Sequence, residues 1–320
     1  GAEYVANSDA SYAFVSTNSI TLGEQVSILW NNMLNKYSEN IFFAYSVFKW
    51  NNNAKNVAGV SVVIIGVRKR DNSMKKLYNE VECKQLSYIP PTLSDSVDNM
   101  VKKATKSISK LPYMRRGNMP NDKEFLRLSP LEKKDILEHY PNAVKFIRLQ
   151  IGADELINQV ERYCYWISDE DLEEAEKIMP IKNAIDKCRE YRINSKDKTL
   201  HVQAEKAHQM REFFECNEMS LVIPIVSSES REYIPMNFVP DKTIVPNSAQ
   251  VIYDANLFVF GLLTSKMHIL WTKHNAGRLD NRIRYSIFLC YNTFPFPSIS
   301  DTKQSEIEEA ATHVLLAREN

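Results

Sequence analysis

The chain has 320 residues, and its 40 Lys and Arg balance 40 Asp and Glu, so that the formal net charge is zero. Zero net charge excludes a uniformly basic coat protein, but the stretch 68–127 carries 14 basic and 7 acidic residues and predicts a local basic surface. No run reaches the roughly 20 apolar residues of a membrane span. The first residues also lack the layout of a signal peptide, and together these features predict a cytoplasmic protein without membrane contact.

The first 70 residues predict the order strand, helix, strand, strand. Residues 11–16 have the β-branched and aromatic composition of a strand, and 23–37 follow as a helix. The apolar runs 41–50 and 59–67 then predict a hairpin around the polar loop 51–56. This order is typical of the second half of a nucleotide-type α/β domain whose first half is missing from the chain.

The rest of the chain predicts short strands among helices. A capping box opens one helix, with Ser129 at the N-cap, Pro130 in the first turn and Glu132 three residues beyond the cap. Further helices are predicted at 93–110, 169–179, 181–192, 196–215, 257–276 and 305–320, and further strands at 162–167, 221–226, 231–235 and 247–253. The predicted fold class is therefore mixed α+β.

No metal site is predicted. The five cysteines have no paired spacing, and no Cys/His cluster has the spacing of a zinc site. Asp71 followed by Glu82 and Lys84 imitates a nuclease motif, but Asp71 lies in a predicted linker, so chance is the better explanation. His201 and His208 lack the spacing of a metal-binding helix, and we expect both to be solvated.

A series of motifs runs through the whole chain. The longest are STNSITLGEQVSILW at 16–30, VSSESREYIP at 226–235 and YNTFPFP at 291–297, and shorter ones lie at 48–50, 146–148, 151–155, 161–166, 260–265 and 284–286. In this order they resemble the MmeI-like restriction-modification methyltransferases, large bacterial proteins that fuse a nuclease, an adenine methyltransferase and a target recognition domain. No single motif is convincing, but their order makes the resemblance specific.

The resemblance implies three parts. Residues 1–70 would be the C-terminal strands of a Rossmann-like methyltransferase domain, 71–235 an α/β target recognition domain, and 236–320 a truncated C-terminal helical region. The nuclease and the rest of the methyltransferase domain would be upstream partners on the same polypeptide. The parent protein would bind double-stranded DNA and would use S-adenosylmethionine to methylate adenine.

The fragment alone is predicted to be inactive. Its eight glycines form no glycine-rich cofactor loop, and the Asn-Pro-Pro-aromatic motif that the family uses to bind the target amine does not occur. No cofactor-binding residue is therefore expected in it. The main alternative is a stand-alone, non-catalytic DNA-specificity module, which the gene sequence upstream of Gly1 would distinguish. A hydrolase using His268 or His274 has no nucleophile motif to support it.

Phe48 is the candidate for the catalytic pocket. Base-modifying enzymes extrude the target base and stack it against aromatic or apolar side chains. The resemblance places Phe48 where the family stacks the flipped adenine, which is a binding role and not a chemical one. Core packing is the alternative for Phe48, and we expect the nearby Trp50 to cover the hairpin.

The polar segment 227–231 is the candidate base-reading element. An arginine can donate two hydrogen bonds to guanine and a glutamate can accept one from the cytosine amine, so Glu229 and Arg231 together can read one base pair. Ser227 and Ser228 precede them, and the resemblance places the family's specificity positions in this segment. The alternative is a Glu229–Arg231 ion pair on the surface, which would stabilise the protein little.

Several arginines are candidate phosphate contacts, namely Arg115, Arg116, Arg148, Arg162, Arg278, Arg282 and Arg284. Such contacts position DNA and make its binding depend on salt. For any one of them a structural ion pair is the alternative. The group 278–284 is the strongest, because it lies between the end of a predicted helix and a strand.

Overall fold

The computed structural model of the chain describes residues 1–5, 8–50, 60–94, 100–279 and 281–319. Its contacts divide the chain into two compact units. The first unit comprises Gly1–Ser109 and Leu270–Phe296, and the second comprises Lys110–Ile269 and Pro297–Asn320. Both units contain strands and helices, which confirms the mixed α+β class. The boundaries at 70 and 235 concern functional domains and stay predictions.

The strands of the described residues are short outside the first unit. In chain order they are β1 (Ser11–Thr17), β2 (Glu39–Trp50), β3 (Val60–Lys69), β4 (Lys75–Tyr78), β5 (Cys83–Leu86), β6 (Met114–Arg116), β7 (Arg127–Leu128), β8 (Ile147–Leu149), β9 (Tyr163–Tyr165), β10 (Ser220–Pro224), β11 (Val226–Ser227), β12 (Asn237–Val239), β13 (Ala249–Ile252), β14 (Gly277–Leu279) and β15 (Arg282–Arg284).

The α-helices of the described residues are α1 (Ala2–Val5), α2 (Pro130–His139), α3 (Ala153–Asn158), α4 (Leu172–Ala175), α5 (Met179–Ile193), α6 (Lys198–Gln203), α7 (Leu257–Thr264), α8 (Lys266–Asn275) and α9 (Asp301–Glu319). Short 3₁₀ or π-helical segments lie at Asn18–Thr21, Val26–Trp30, Asn32–Lys36, Pro141–Phe146 and Ile287–Tyr291. Within the described ranges, no helix has both the length and the apolar character needed to cross a bilayer.

The first unit is built on a five-stranded sheet in the order β1-β3-β2-β4-β5. The strands β2 and β3 pair antiparallel, as the apolar runs predicted, while the connecting loop 51–56 lies outside the described residues. The ring of Phe43 covers Gly66, where any side chain would collide with it. Trp30 is buried in the core below the sheet, and its indole N–H donates a 2.7 Å hydrogen bond to the carbonyl of Ile20.

The second unit contains two sheets, in the orders β12-β10-β13-β6 and β7-β9-β8. All five residues of β10 are buried, which fits a central strand with a continuous apolar run. One core cluster packs α5 against the smaller sheet through residues such as Phe146, Ile167 and Ile185. The capping box at Ser129 and Glu132 is confirmed, since each side chain bonds the backbone N–H of the other residue.

Arg192 organises the second unit in a way that the sequence does not indicate. It is 1% exposed at the end of α5, and its guanidinium donates hydrogen bonds of 2.7 to 3.0 Å to five backbone carbonyls. The acceptors are the carbonyls of Pro120, Asn121, Gln203, Lys206 and Gln209. The five N–H donors of the guanidinium are thereby satisfied without a carboxylate.

Two helix predictions are wrong because distant partners take the backbone groups. Residues 100–110 of the helix predicted at 93–110 are not helical, and within them the N–H of Ala104 donates to the carbonyl of Phe288; residues 95–99 lie outside the described residues. Of the helix predicted at 196–215, only α6 forms, because Arg192 binds the carbonyls that would continue it. Segment 231–235 is likewise irregular and not a strand.

Two further helices differ from their predictions in continuity. The helix predicted at 257–276 is broken at Ser265, whose ψ of 151° is extended and whose hydroxyl accepts from the N–H of His268 at the start of α8. Pro180 begins α5 in its first turn and does not separate two helices there. Both outcomes follow from capping chemistry, since Ser and Pro favour helix starts.

Candidate nucleic-acid interface

The reading turn, which we define as residues 227–231, follows two consecutive strands. Ser227 is 4% exposed and ends β11, so its hydroxyl does not lie at the surface. The hydroxyls of Ser228 and Ser230 are 2.8 Å apart, and the N–H of Arg231 donates to the carbonyl of Ser228 at 3.3 Å. These short-range bonds close the turn on its own backbone.

The charged heads of the reading turn are exposed. Glu229 and Arg231 are both accessible to solvent, and in the part of the chain that the structure describes no ion pair joins them. The surface-pair alternative therefore has no support in the geometry. Both side chains are available to an external partner, with the polarity that a G·C pair requires.

The segment after the reading turn is anchored. Ile234 and Met236 are 3% and 1% exposed, and Arg318 near the end of α9 donates a 2.8 Å hydrogen bond to the carbonyl of Met236. The guanidinium carbon of Arg318 also lies 5.3 Å from the ring centroid of Phe260 on α7. A cleft of about 340 Å³, lined by 231–237 and Arg318, lies beside this anchor.

Arg115 and Arg116 lie on β6, which is an edge strand of the larger sheet. Arg116 is exposed, and Arg115 is half-buried with its guanidinium carbon 3.4 Å above the ring centroid of Phe214. Within the described ranges Arg115 forms no ion pair with a carboxylate. The ion-pair alternative is therefore not realised for this residue.

The two weaker arginine candidates of the second unit have structural partners. Arg162 lies 3.6 Å from Glu155, whose side chain is only 4% exposed. Arg148 donates to the carbonyls of Lys145 and Ile147 and lies 3.8 Å from Glu215. For these two the geometry favours the structural ion pair over a phosphate contact.

In the first unit, β14 and β15 form an antiparallel hairpin that contains the group 278–284. Arg282 and Arg284 are exposed, whereas Ile283 between them is 1% exposed. Arg278 pairs with Ile283 in the register, is half-buried, and donates a 2.9 Å hydrogen bond to the carbonyl of Lys273. The hairpin thus separates two outward-facing arginines from a third that is tied to the protein.

Phe48 lies beside an irregularity in β2. The register with β3 shifts by one extra residue between Tyr45 and Phe48, and such bulges are enriched near active sites because they redirect side chains. Phe48 is half-buried, and its ring centroid lies 6.3 Å from that of Trp50, which is 48% exposed. Neither ring is among the described residues of the core cluster around Trp30.

The residues that imitate a nuclease motif and a metal-binding helix have partners within the protein. Asp71 pairs with Lys75 and, at 2.6 Å, with Arg68. The hydrogen bond from Lys75, together with those from Ser73, holds the pKa of the Asp71 carboxyl well below its usual range. The prediction that His208 is solvated is wrong, because it is 2% exposed and lies 2.9 Å from Asp169. Its burial lowers its pKa.

His268 does not support a hydrolase. Its side chain is fully buried, and desolvation lowers its pKa to about 3. A general base must reach the proton that it removes, and a buried neutral imidazole has no access to a substrate. The cysteines at 164 and 290 are buried.

The sequence did not indicate the residues that fix the position of Arg115, a candidate phosphate contact. Phe214 supports Arg115, and Asn118, which is 1% exposed, bonds the backbone of Phe214. The neighbouring Phe213 instead stacks on Trp166, with centroids 3.9 Å apart. The only available signal was the aromatic dipeptide at 213–214 among charged residues. Such a pattern does not show what the rings contact.

Comparison with known proteins confirms the resemblance. Residues 95–298 match the family model of the MmeI target recognition domain, and 1–79 match that of the MmeI DNA-methyltransferase domain. DNA methyltransferase A of Bacillus subtilis (strain 168) is 43% identical over 320 residues, which is 100% of this chain and 36% of that protein.

A solved structure supports the same family. The Type IIL restriction-modification enzyme MmeI, determined in complex with DNA, matches with a TM-score of 0.93 and 37% identity over 100% of this chain and 43% of that one. The chain therefore spans less than half the length of the relatives it matches. With both family models matched and the target recognition model covering more than half of its residues, the chain belongs to the MmeI family.

Proposed function

We propose that the chain is the sequence-specific DNA-recognition part of a bacterial restriction-modification methyltransferase. The observation that carries this proposal is the likeness of its whole length to MmeI, an enzyme whose structure was determined bound to DNA. The exposed charges of the reading turn support it, because they offer a donor and an acceptor for base edges. A DNA partner also favours the predicted cytoplasmic location.

The base pair read by the turn would be G·C. In this proposal Arg231 donates two hydrogen bonds to the O6 and N7 acceptors of guanine, and Glu229 accepts from the N4 amine of cytosine. The internal bonds of Ser228 and Ser230 limit the freedom of the turn, so that less conformational entropy is lost on binding. Arg115, Arg116, Arg282 and Arg284 would contact phosphates and set the position of the duplex.

The first unit would complete the methyltransferase domain. Its strand order β1-β3-β2, with β3 antiparallel to both neighbours, supports the assignment of 1–70 to the last strands of a Rossmann-like sheet. Phe48, beside the bulge in β2, would stack on an adenine that has been rotated out of the duplex. The remaining methyltransferase sequence and a nuclease would lie upstream on the same polypeptide.

The described residues do not fit a complete S-adenosylmethionine site. A glycine-rich turn after a strand is the usual cradle for such a cofactor, but β1 leads into Asn18–Thr21, which contains no glycine. Gly66 and Gly117 are instead required by close packing against Phe43 and against the carbonyl of Pro246. We therefore assign the cofactor to the parent protein, and we expect this chain alone to transfer no methyl group.

Selection from random sequence tests the proposal directly. The 320-residue chain is incubated with duplexes that carry a randomised central segment, and the bound fraction is sequenced after several rounds. We expect one enriched sequence, bound more weakly as salt rises because phosphate contacts release counterions. Binding without enrichment, or no binding at all, would contradict the proposed function.

A further inference from the structure

The geometry around Arg115 points to a preorganised contact with a DNA phosphate. We propose that Phe214 and Asn118 are the residues that position the Arg115 guanidinium for this contact. This inference rests on the proposed function and deepens it. It assigns a role in DNA binding to two residues that need not touch DNA themselves. The observation behind it is a series of contacts, in which the guanidinium of Arg115 lies on the ring of Phe214 and the side-chain amide of Asn118 hydrogen-bonds the backbone of Phe214.

The first step concerns the guanidinium. Its central carbon lies 3.4 Å from the centroid of the Phe214 ring, which is van der Waals contact between a planar cation and an aromatic face. A guanidinium that stacks through its face keeps its N–H groups in the plane of the stack, directed sideways. Those N–H groups form no ion pair with any carboxylate in the described ranges. Phosphate is the ligand that a fork of such donors recognises.

The second step concerns the ring. Phe214 lies in an irregular segment, and a side chain on such a segment would ordinarily be mobile. Asn118 prevents this with two hydrogen bonds, since its Nδ2 donates to the carbonyl of Phe214 at 2.7 Å and its Oδ1 accepts from the N–H of Phe214 at 2.9 Å. Asn118 itself is 1% exposed and also donates to the carbonyl of Val245.

The third step concerns the surroundings of Asn118. Gly117 precedes it, and any side chain at Gly117 would collide with the carbonyls of Val245 and Pro246. The N–H of Met119 donates to the Glu212 carboxylate at 2.9 Å, which ties the two segments together a second time. The ring is therefore fixed through backbone contacts, and its outer face holds Arg115 at the edge of the sheet.

A binding role explains this arrangement better than core packing does. Phe214 remains 42% exposed, so the ring is not placed to fill the core. Its neighbour Phe213 is similarly exposed at 37%, but it stacks on Trp166 and forms no cation–π contact with an arginine within the described residues. The chain thus offers a matched control, because the same substitution at Phe213 removes a similar ring without touching Arg115.

The test is a double-mutant cycle on duplex binding by the 320-residue chain. Affinities are measured over a series of salt concentrations for Arg115→Ala, Phe214→Leu and the double variant, with Phe213→Leu as control. We expect Arg115→Ala to weaken binding to all duplexes and to reduce the slope of log affinity against log salt by roughly one unit. Phe214→Leu keeps the charge but should weaken binding about twofold to fivefold, the range of a lost cation–π contact.

The double variant should bind no more weakly than Arg115→Ala, because Phe214 acts only through Arg115. Phe213→Leu should bind as the unmodified chain does. If the effects of Arg115→Ala and Phe214→Leu multiply, or if Phe214→Leu leaves affinity unchanged, the inference is overturned while the proposed function stands. A chain that binds no duplex overturns both.

A second variant, Arg115→Lys, tests the inference even if Phe214→Leu does not fold. Arg115→Lys keeps the positive charge at a half-buried edge position but removes the planar group that stacks. Positioning by Phe214 predicts an affinity loss similar to that of Phe214→Leu, with unchanged stability in chemical denaturation. An affinity equal to that of the unmodified chain would show that only the charge matters, and would overturn the role given to Phe214 and Asn118.

Discussion

Arg282 and Arg284 project from the same face of β15, since side chains two residues apart in a strand point the same way. The residue between them, Ile283, is 1% exposed and faces the protein. In the paired strand, Arg278 shares the face of Ile283. One hairpin thus holds arginines in two different environments, and we expect this difference to separate the proposed phosphate contacts from a structural side chain.

Arg284→Ala should weaken binding to all duplexes alike and reduce the salt slope by roughly one unit, because one phosphate contact is lost. Arg278→Ala should leave the slope unchanged and lower the stability, since it removes the hydrogen bond to the Lys273 carbonyl. Both variants are measured by salt-dependent duplex titration and by chemical denaturation. If Arg284→Ala and the unmodified chain show the same slope of log affinity against log salt, Arg284 contacts no phosphate.

Exchanging the two charges of the reading turn should redirect specificity. With Glu229→Arg and Arg231→Glu combined, the guanine donor and the cytosine acceptor change places, so we expect the preferred base pair to change at one position only. Each good base contact contributes about 1–3 kcal/mol of discrimination. The change is introduced into the complete methyltransferase, and methylated genomic DNA is sequenced. Glu232→Gln, at a neighbouring exposed position, serves as control. If the exchanged variant methylates the same DNA sequence as the unmodified enzyme, base reading by Glu229 and Arg231 is contradicted.

Phe48→Ala in the complete methyltransferase should slow methylation and leave duplex affinity nearly unchanged. Loss of one stacked base costs about 1–3 kcal/mol, which corresponds to a rate roughly fivefold to 160-fold lower. Phe48→Tyr keeps the ring and should retain most of the rate, and Trp50→Ala should behave as the unmodified enzyme because Trp50 is predicted to cover the hairpin. Full methylation by Phe48→Ala would identify Phe48 as a packing residue.

Arg192→Met should lower the free energy of unfolding by about 3–9 kcal/mol, because each buried unsatisfied group costs about 1–3 kcal/mol. The carbonyls of Pro120, Asn121 and Gln209 lose their donor, whereas those of Gln203 and Lys206 keep a backbone N–H. The control lies on the same helix. Arg189 is paired with Asp186 at the surface, and Arg189→Ala should cost less than about 1 kcal/mol. Urea denaturation of both variants measures the difference, and similar losses would contradict the role of Arg192.

Replacement of His268 should reduce the acid sensitivity of the fold. Burial lowers the pKa of His268 from 6.5 to about 3, so below pH 6.5 the unfolded chain binds a proton that the folded chain excludes. Stability is therefore lost as the pH falls from about 6.5 towards 3, by about 1.4 kcal/mol per pH unit. Between pH 7 and pH 5, His268→Leu should lose about 2 kcal/mol less than the unmodified chain.

The control for this prediction is His313→Gln, which changes an exposed histidine on α9. The free energy of unfolding of this variant should change with pH as that of the unmodified chain does. Parallel stability curves for His268→Leu and the unmodified chain would show that the imidazole of His268 becomes charged without cost in the folded protein.

Local patterns in the sequence determined the parts of the fold that depend on neighbouring residues. Alternating and continuous apolar runs predicted β1, β2 and β3, because burial selects side chains with the period of the strand. Ser129 and Glu132 predicted the start of α2, because both partners of a capping box lie within one turn. The order of motifs identified the family. The polar break at 227–231 was visible in the sequence because its residues contrast with the apolar strand before it.

Only the tertiary structure decided where distant groups meet. The backbone of 100–110 bonds to residues such as Phe288, and Arg192 takes the carbonyls that would have continued α6, so local helix propensity was overridden in both places. Asn118 and Phe214 are 96 positions apart in the chain, and no local pattern shows that they bond. A hydrogen bond or a ring contact depends on which segments the whole fold brings together. Composition and periodicity carry no record of that proximity, and this is why the support for Arg115 appears only in three dimensions.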